Sequence, residues 1–363
     1  MNEPILAEPI QALYPFAANP IQEAEDDPSK APLMGRRLNQ QQRLRIGAIQ
    51  QRRLQQAAES AEQQLRQDPG QQQSGRVISR FGRNLIIEDA QGQLVPCLLR
   101  QNIGQAVCGD RVAWQATGDR QGVVSAIEAR RSVLIRPNYS GQERPLAANI
   151  DRMIIVLAPE PAPRRYLLDQ YLIAARLLCI EALICLNKTD LLDAAGEASF
   201  SQEFGDYPAI GYPLIRVSAR QEQGLAPLLD AVRGRTAILL GQSGVGKSSL
   251  ASALLPDREI QTGRLSAFSG KGCHTTTTTC LYHLPQGGEL IDSPGVRSFR
   301  PTVKDRSDLE CGFREFAPYL GHCRFSNCQH RGEPQCALQQ AVEQGQIDPR
   351  RLANFRHMAA GLG

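Results

Sequence analysis

The segment Gly241-Gln242-Ser243-Gly244-Val245-Gly246-Lys247-Ser248 has the residue types and spacing of a phosphate-binding loop. It follows the apolar run Thr236–Leu240, which reads as a strand, and leads into Ser249 to Leu254, which reads as a helix. Strand, glycine-rich turn and helix together are the context such a loop requires. Glycines let backbone N–H groups turn toward phosphate oxygens, and the helix N-terminus adds a favourable dipole. Lys247 is expected to reach the β- and γ-phosphates and to serve catalysis, with Ser249 beside it in the nucleotide site. The Ser248 hydroxyl is expected to hold Mg²⁺.

A phosphate loop does not choose between ATP and GTP. Asn187-Lys188-Thr189-Asp190, at the end of the apolar run Ala182 to Leu186, does. A carboxylate at Asp190 can accept from both N1–H and N2–H of guanine, and adenine offers no matching donor pair. Leaving such groups unpaired discriminates strongly. Lys188 can lay its stem over the base, and Asn187 can brace the loop and the base edge. Val217-Ser218-Ala219 ends the next strand, where the Ala219 N–H is expected to meet guanine O6.

Asp292-Ser293-Pro294-Gly295 follows the short apolar run Glu289-Leu290-Ile291. Asp292 fits a carboxylate that binds Mg²⁺ through water, and Gly295 fits a backbone N–H that senses the γ-phosphate. Between the phosphate loop and this motif lies Gly270-Lys271-Gly272-Cys273-His274 followed by Thr275 to Thr279. A threonine hydroxyl there, Thr276 or Thr277, is expected to complete the Mg²⁺ shell and tie loop order to the γ-phosphate. Val296 stands where many GTPases place a water-orienting glutamine, and valine cannot hold a water. His274 is the expected catalytic substitute, a purely structural role being its alternative, and Arg297 is a weaker candidate. Slow intrinsic turnover with help from a partner follows.

A different chemistry sits near the C-terminus. Cys323, Cys328, His330 and Cys336 offer three thiolates and one imidazole within 14 residues, which suits tetrahedral structural Zn²⁺. Cys311 and His322 are spare neighbours. Of the ten cysteines, Cys97, Cys108, Cys179 and Cys185 read as apolar packing.

The elements that carry these groups form three patterns. Residues 74–136 alternate in short runs broken by Gly and Asp, which predicts five strands in a small all-β barrel, commonly of the oligonucleotide-binding type, although an SH3-like barrel would read similarly. Arg76, Arg80, Arg83, Arg100, Arg111, Arg120, Arg130 and Arg131 give it a basic cast. From Asp151 onward, buried apolar strands alternate with helices such as Arg165 to Leu178, which predicts an α/β parallel sheet covered on both faces. After the cysteine cluster, Leu338 to Glu343 and Pro349 to Met358 read as helices. Arg350, Arg351, Arg356 and His357 make the second basic, either a nucleic-acid contact or a solvated face.

The N-terminal part is of another kind. Residues 1–34 are acidic and Pro/Ala-rich, with disorder expected, and residues 36–68 form an Arg/Gln-rich arm. Such an arm fits a helix formed on a nucleic-acid partner, or else a solvated linker. No run reaches the roughly 18 apolar residues that cross a bilayer, and Met1-Asn2-Glu3-Pro4 lacks the start of a secretory signal. The expectation is a cytoplasmic protein without a membrane partner.

The order of the motifs is unusual. Asn187 to Asp190 and Ser218-Ala219 precede Gly241, the reverse of the ordinary GTPase arrangement and so a circular permutation. Barrel, permuted GTPase, the His-Thr-Thr-Thr loop, Asp-Ser-Pro-Gly-Val and the Cys/Cys/His/Cys cluster together resemble the RsgA (YjeQ) family of small ribosomal subunit biogenesis GTPases, over about residues 36–358. The family usually has Arg before the switch histidine, where this chain has Cys273. The resemblance implies four parts: a tail and arm at 1–73, an oligonucleotide-binding barrel at 74–136, a permuted GTPase at 137–302 and a zinc-binding, mostly helical module at 303–363. It also implies a monomer that binds GTP and GDP and acts with the small ribosomal subunit and its rRNA, hydrolysis driving release. A nucleotide-gated RNA-binding module with incidental hydrolysis is the alternative. A membrane-associated signalling GTPase lacks a lipidation cysteine or apolar anchor.

Overall fold

The computed structural model describes residues 71–117, 121–137, 143–259, 261–262, 279–293 and 303–362. The tail and arm over residues 1–68 therefore lie outside the described residues. The first five strands are β1 (Gln73–Phe81), β2 (Asn84–Asp89), β3 (Leu94–Leu99), β4 (Arg111–Ala116) and β5 (Gly122–Ile127). They pair in the order β1-β2-β3-β5-β4, and β4 returns to β1, so the sheet closes. β3 and β5 run parallel and the other pairs antiparallel, the connectivity of an oligonucleotide-binding barrel. Inward positions alternate along each strand, and Val77, Leu85, Ile87, Cys97, Val112, Trp114 and Val124 fill the interior. Gly122 lies against the Trp114 indole, where a Cβ would have no room.

A hairpin follows, β6 (Val133–Pro137) and β7 (Glu143–Ala148). Sequence reading predicts no element here, and the expected barrel–core boundary at 136/137 falls inside it. Its return strand bonds to the barrel through Ala148 N–H and the Cys108 carbonyl at 2.9 Å.

The core sheet is parallel over β10 (Leu214–Arg216), β9 (Glu181–Leu186), β8 (Arg152–Leu157), β11 (Thr236–Leu240) and β13 (Glu289–Asp292), in that spatial order. β8 and β11 are buried almost throughout, as strands covered on both faces must be. The helices are α1 (Arg165–Leu177), α2 (Ala194–Phe204), α3 (Leu225–Val232) and α4 (Lys247–Leu254). One further strand, β12 (Cys280–His283), is antiparallel to β13 and meets β1 of the barrel at Ser79–Cys280. Barrel and core thus share one eleven-stranded sheet.

The C-terminal part holds α5 (Arg306–Gly312), α6 (Ala337–Glu343) and α7 (Pro349–Ala360). Asp305 caps α5 and Asp348 caps α7, with Pro349 at its first turn. Phe313, Phe316 and Phe355 pack edge-on and stacked in a second core, to which α1 contributes Ile173. Beneath them is a buried polar network. Arg351, 1% exposed, pairs with Asp169 of α1 and with Glu315 at 2.6 Å. Tyr207 Oη donates to Asp169 at 2.5 Å and Asn354 donates to it at 2.6 Å.

Two expectations need correction. The basic face expected on α7 is only partly there: Arg351 is buried and Arg356 donates to the His330 carbonyl, while Arg350, paired with Asp348, and His357 are exposed. Cys179 is exposed, because it takes φ 54° just beyond α1 and turns its thiol outward. Cys97, Cys108 and Cys185 are buried as expected.

Candidate functional site

The phosphate loop leaves β11 at its C-terminal end and enters α4 at Lys247. Gly241 and Gly246 have φ of 138° and 88°, open to glycine without strain. A Cβ on Gly241 would strike the Val156 carbonyl, and one on Gly246 the Asn187 amide nitrogen. Lys247 Nζ donates to the carbonyls of Gly241 at 2.8 Å and Gln242 at 2.5 Å, so the ammonium lies across the loop. Ser248 and Ser249 open the helix, both exposed.

The guanine motif leaves β9 at the same sheet end. Asn187 is buried, its Nδ2 donating to the Val245 carbonyl at 3.0 Å and its Oδ1 accepting from Ala219 N–H at 3.1 Å. One carboxamide therefore joins the guanine loop, the Ser-Ala loop and the phosphate loop. Lys188 sits at φ 59° and its Nζ donates to the Glu160 carbonyl at 2.8 Å. Thr189 Oγ1 donates to the Val217 carbonyl at 3.0 Å. Ser218 Oγ donates to Asp190 Oδ1 at 2.5 Å, which orients the carboxylate and leaves its other oxygen available.

Asp292 ends β13, beside these loops, and Arg258 pairs with its carboxylate while stacking over Tyr282 at 5.6 Å. Ser293 Oγ and Thr279 Oγ1 are 2.8 Å apart. A hydroxyl at Ser248 and a carboxylate at Asp292 are hard oxygen donors, the set Mg²⁺ takes alongside phosphate. His274, Thr276, Thr277 and Gly295 lie outside the described residues, as do Cys273, Val296 and Arg297.

The second site is the cysteine–histidine cluster. Ligand atoms of Cys323, Cys328, His330 and Cys336 all lie within 4.8 Å of one another. His330 Nδ1 is 3.6 Å from the Cys323 and Cys328 sulfurs and 3.3 Å from that of Cys336. A tetrahedral Zn²⁺ with ordinary bond lengths would separate N and S by about 3.5 Å, so the cluster fits a metal ion without rearrangement. Burial, then the neighbouring Cys323 and Cys336 thiols, push Cys328 up to about 12. A cation relieves that crowding by holding thiolates. The far nitrogen of His330 faces Glu310 at 3.4 Å, an arrangement that fixes which ring nitrogen meets the metal. Glu333 accepts from Gln329, Arg331 and Gly332 N–H groups and shapes the turn between ligands. Desolvation acts upward on its carboxyl, but these backbone donors hold it down at about 2.

Sequence spacing carries no signal for three of these parts. Arg258 lies 34 positions from its partner Asp292, Glu310 precedes the metal cluster, and Val245 acts through its backbone carbonyl.

A guanine motif and a phosphate loop meeting on one parallel sheet, with the guanine motif first in the chain, define a circularly permuted GTPase. Residues 127–302 match the RsgA GTPase family. The chain is 46% identical over 334 residues to the small ribosomal subunit biogenesis GTPase RsgA of Pseudomonas aeruginosa strain UCBPP-PA14, covering 90% of this chain and 98% of the relative. It resembles the crystal structure of YjeQ from Thermotoga maritima with a TM-score of 0.67 and 29% identity, over 80% of this chain and 99% of that one. YloQ, described as a circularly permuted GTPase, is similar with a TM-score of 0.64 and 28% identity, over 80% and 95%. The chain belongs to the RsgA family of GTPases.

Proposed function

We propose that this chain is a ribosome-stimulated GTPase of late small-subunit maturation. It binds ribosomal RNA, hydrolyses GTP to GDP and phosphate, and leaves the subunit on hydrolysis. The observation that carries this reading is the match over 98% of a relative named for small ribosomal subunit biogenesis. A barrel continuous with the GTPase sheet supports it, because a ligand on the barrel acts on strands that also reach the nucleotide loops.

In this reading Asp190 selects guanine, with Ser218 setting its orientation, Lys188 covering the base and the Ala219 N–H reaching O6. Asn187 and Thr189 hold that loop. Gly241 to Ser249 cradle the phosphates and Lys247 neutralises charge as the bond to the leaving phosphate lengthens. When bound, Mg²⁺ would offset the negative charge of the phosphates. Ser248, Asp292 and a threonine, Thr276 or Thr277, would hold it. His274 would orient the attacking water, Val296 being unable to, and Gly295 would sense the γ-phosphate. The cluster at Cys323, Cys328, His330 and Cys336 would hold one structural Zn²⁺. The division into parts at 1–73, 74–136, 137–302 and 303–363 belongs to the same proposal, as do a monomeric state and a cytoplasmic setting.

GTP turnover measured with and without purified small ribosomal subunits tests this. Slow turnover that rises steeply with small subunits, and not with large ones, is expected. A rate indifferent to small subunits would sink the proposal.

A further inference from the structure

At the end of the core sheet opposite the nucleotide loops, a cleft of about 460 Å³ runs between the barrel and the starts of β11 and β13. Four arginines line it, Arg76, Arg111, Arg131 and Arg235, against two carboxylates, Asp151 and Glu289. Both carboxylates are already engaged. Glu289 takes Arg76 at 2.5 Å and the Thr236 hydroxyl at 2.6 Å. Asp151 takes Arg131 at 3.0 Å and the Thr236 N–H at 2.9 Å. His283, which also lines the cleft, is paired with Glu88 at 2.8 Å. Arg111 and Arg235 are exposed and form no ion pair among the described residues, although the Glu181 carboxylate attracts Arg235 at longer range.

Two further observations ask for an anion here. Arg76 and Arg111 stand directly opposite each other in the β1–β4 register. Like charges at such a position repel, and since Glu289 already answers Arg76, the charge left over is that of Arg111. In the cleft wall the Nε–H of Arg76 is buried with no acceptor among the described residues, a donor left unmade.

We propose that this cleft is a second anion site, separate from the nucleotide pocket, that takes backbone phosphates of RNA. Guanidinium forks match phosphate oxygens, and two exposed forks in one open cleft suit successive phosphates of a chain better than a single small ion. The inference rests on the reading above only in taking RNA as the partner. The site touches the strands whose far ends carry Gly241 and Asp292.

The test uses the full chain and the double variant Arg111→Ala/Arg235→Ala, neither residue holding a structural pair. Binding of a short fluorescein-labelled single-stranded RNA is followed by anisotropy over a salt series, without ribosomes. The variant should bind roughly 10-fold more weakly and lose about 0.7 from its salt slope for each phosphate contact removed. Its melting temperature and basal GTP turnover should match the parent. Equal RNA affinity and equal salt slope in parent and variant would overturn the proposal. So would arginine-dependent binding of inorganic phosphate, read by calorimetry, with RNA binding unchanged, since the source would then be a free ion. Because no subunit is present, failure of ribosome stimulation leaves this result standing, and the reverse holds as well.

Discussion

The Asn187 carboxamide donates to the Val245 carbonyl at 3.0 Å, so the guanine loop is fastened to the middle of the phosphate loop. Its oxygen accepts from Ala219 at 3.1 Å, bringing in the third loop. Asn187→Ala leaves a buried carbonyl and an N–H without partners, at about 1–3 kcal/mol. Affinity for a fluorescent GDP analogue should fall ~10- to 100-fold, with the melting temperature changing little once nucleotide is saturating.

Asp190→Asn exchanges an acceptor for a donor at the oxygen that Ser218 leaves available. Guanine N1–H and N2–H then meet an amide, and GTP should lose ~100-fold or more in kcat/KM. Xanthosine triphosphate, with a carbonyl at the 2-position, should gain. A competition assay between the two nucleotides reads the switch directly.

Metal analysis of the purified chain should find one zinc per molecule, released by a strong chelator together with unfolding of the C-terminal part. Glu310→Gln keeps all four ligands but removes the carboxylate that faces His330 at 3.4 Å. Zinc affinity should fall about 10- to 100-fold in a chromophoric chelator titration.

Arg351 and Asp169 are 1% and 0% exposed and join α7 to α1. Arg351→Met strands Asp169, whose carboxyl burial already pushes upward, and should cost about 3–5 kcal/mol. Thermal unfolding should show a large drop in midpoint, and adding Asp169→Leu should recover much of it.

The hydrogen bond to Glu88 raises the His283 value above the ordinary one, against desolvation. A raised value in the folded chain means the pair's stabilisation is complete below about 6.5, the ordinary value, and is lost as pH rises through the folded value. Histidine NMR titration should place His283 above that ordinary value. Glu88→Gln should bring it down and flatten the alkaline loss of stability.

The meeting of the candidate groups was legible wherever it depends on residue types at fixed spacing. Gly241 to Ser248, Asn187 to Asp190 and the Cys323–Cys336 cluster each converge as their spacing implies. What stayed hidden depends on partners distant in the chain. Charge alone makes Arg76, Arg130 and Arg351 read as surface cations, yet each is tied to a carboxylate, Glu289, Asp110 and Asp169. β12 is four residues long and follows a threonine run, so no period announces it. The β6–β7 hairpin carries Pro137 and Pro145, which weaken a strand signal. α2 buries only Phe200 and Phe204, too little for a helical stripe to stand out. At Cys179 apolar neighbours mislead, because a left-handed residue after a helix points away from what its neighbours bury.

The eleven-stranded sheet rolls into its barrel on one side, so among the described residues its open margin is β10, only three residues long. Arg216, which ends it, is held by Glu197 at 3.0 Å. A margin that short and that charged is a poor template for strand addition by another chain. Recognition at this sheet therefore falls to side chains, and crowding with other nascent chains gives it little opportunity to recruit them through its backbone.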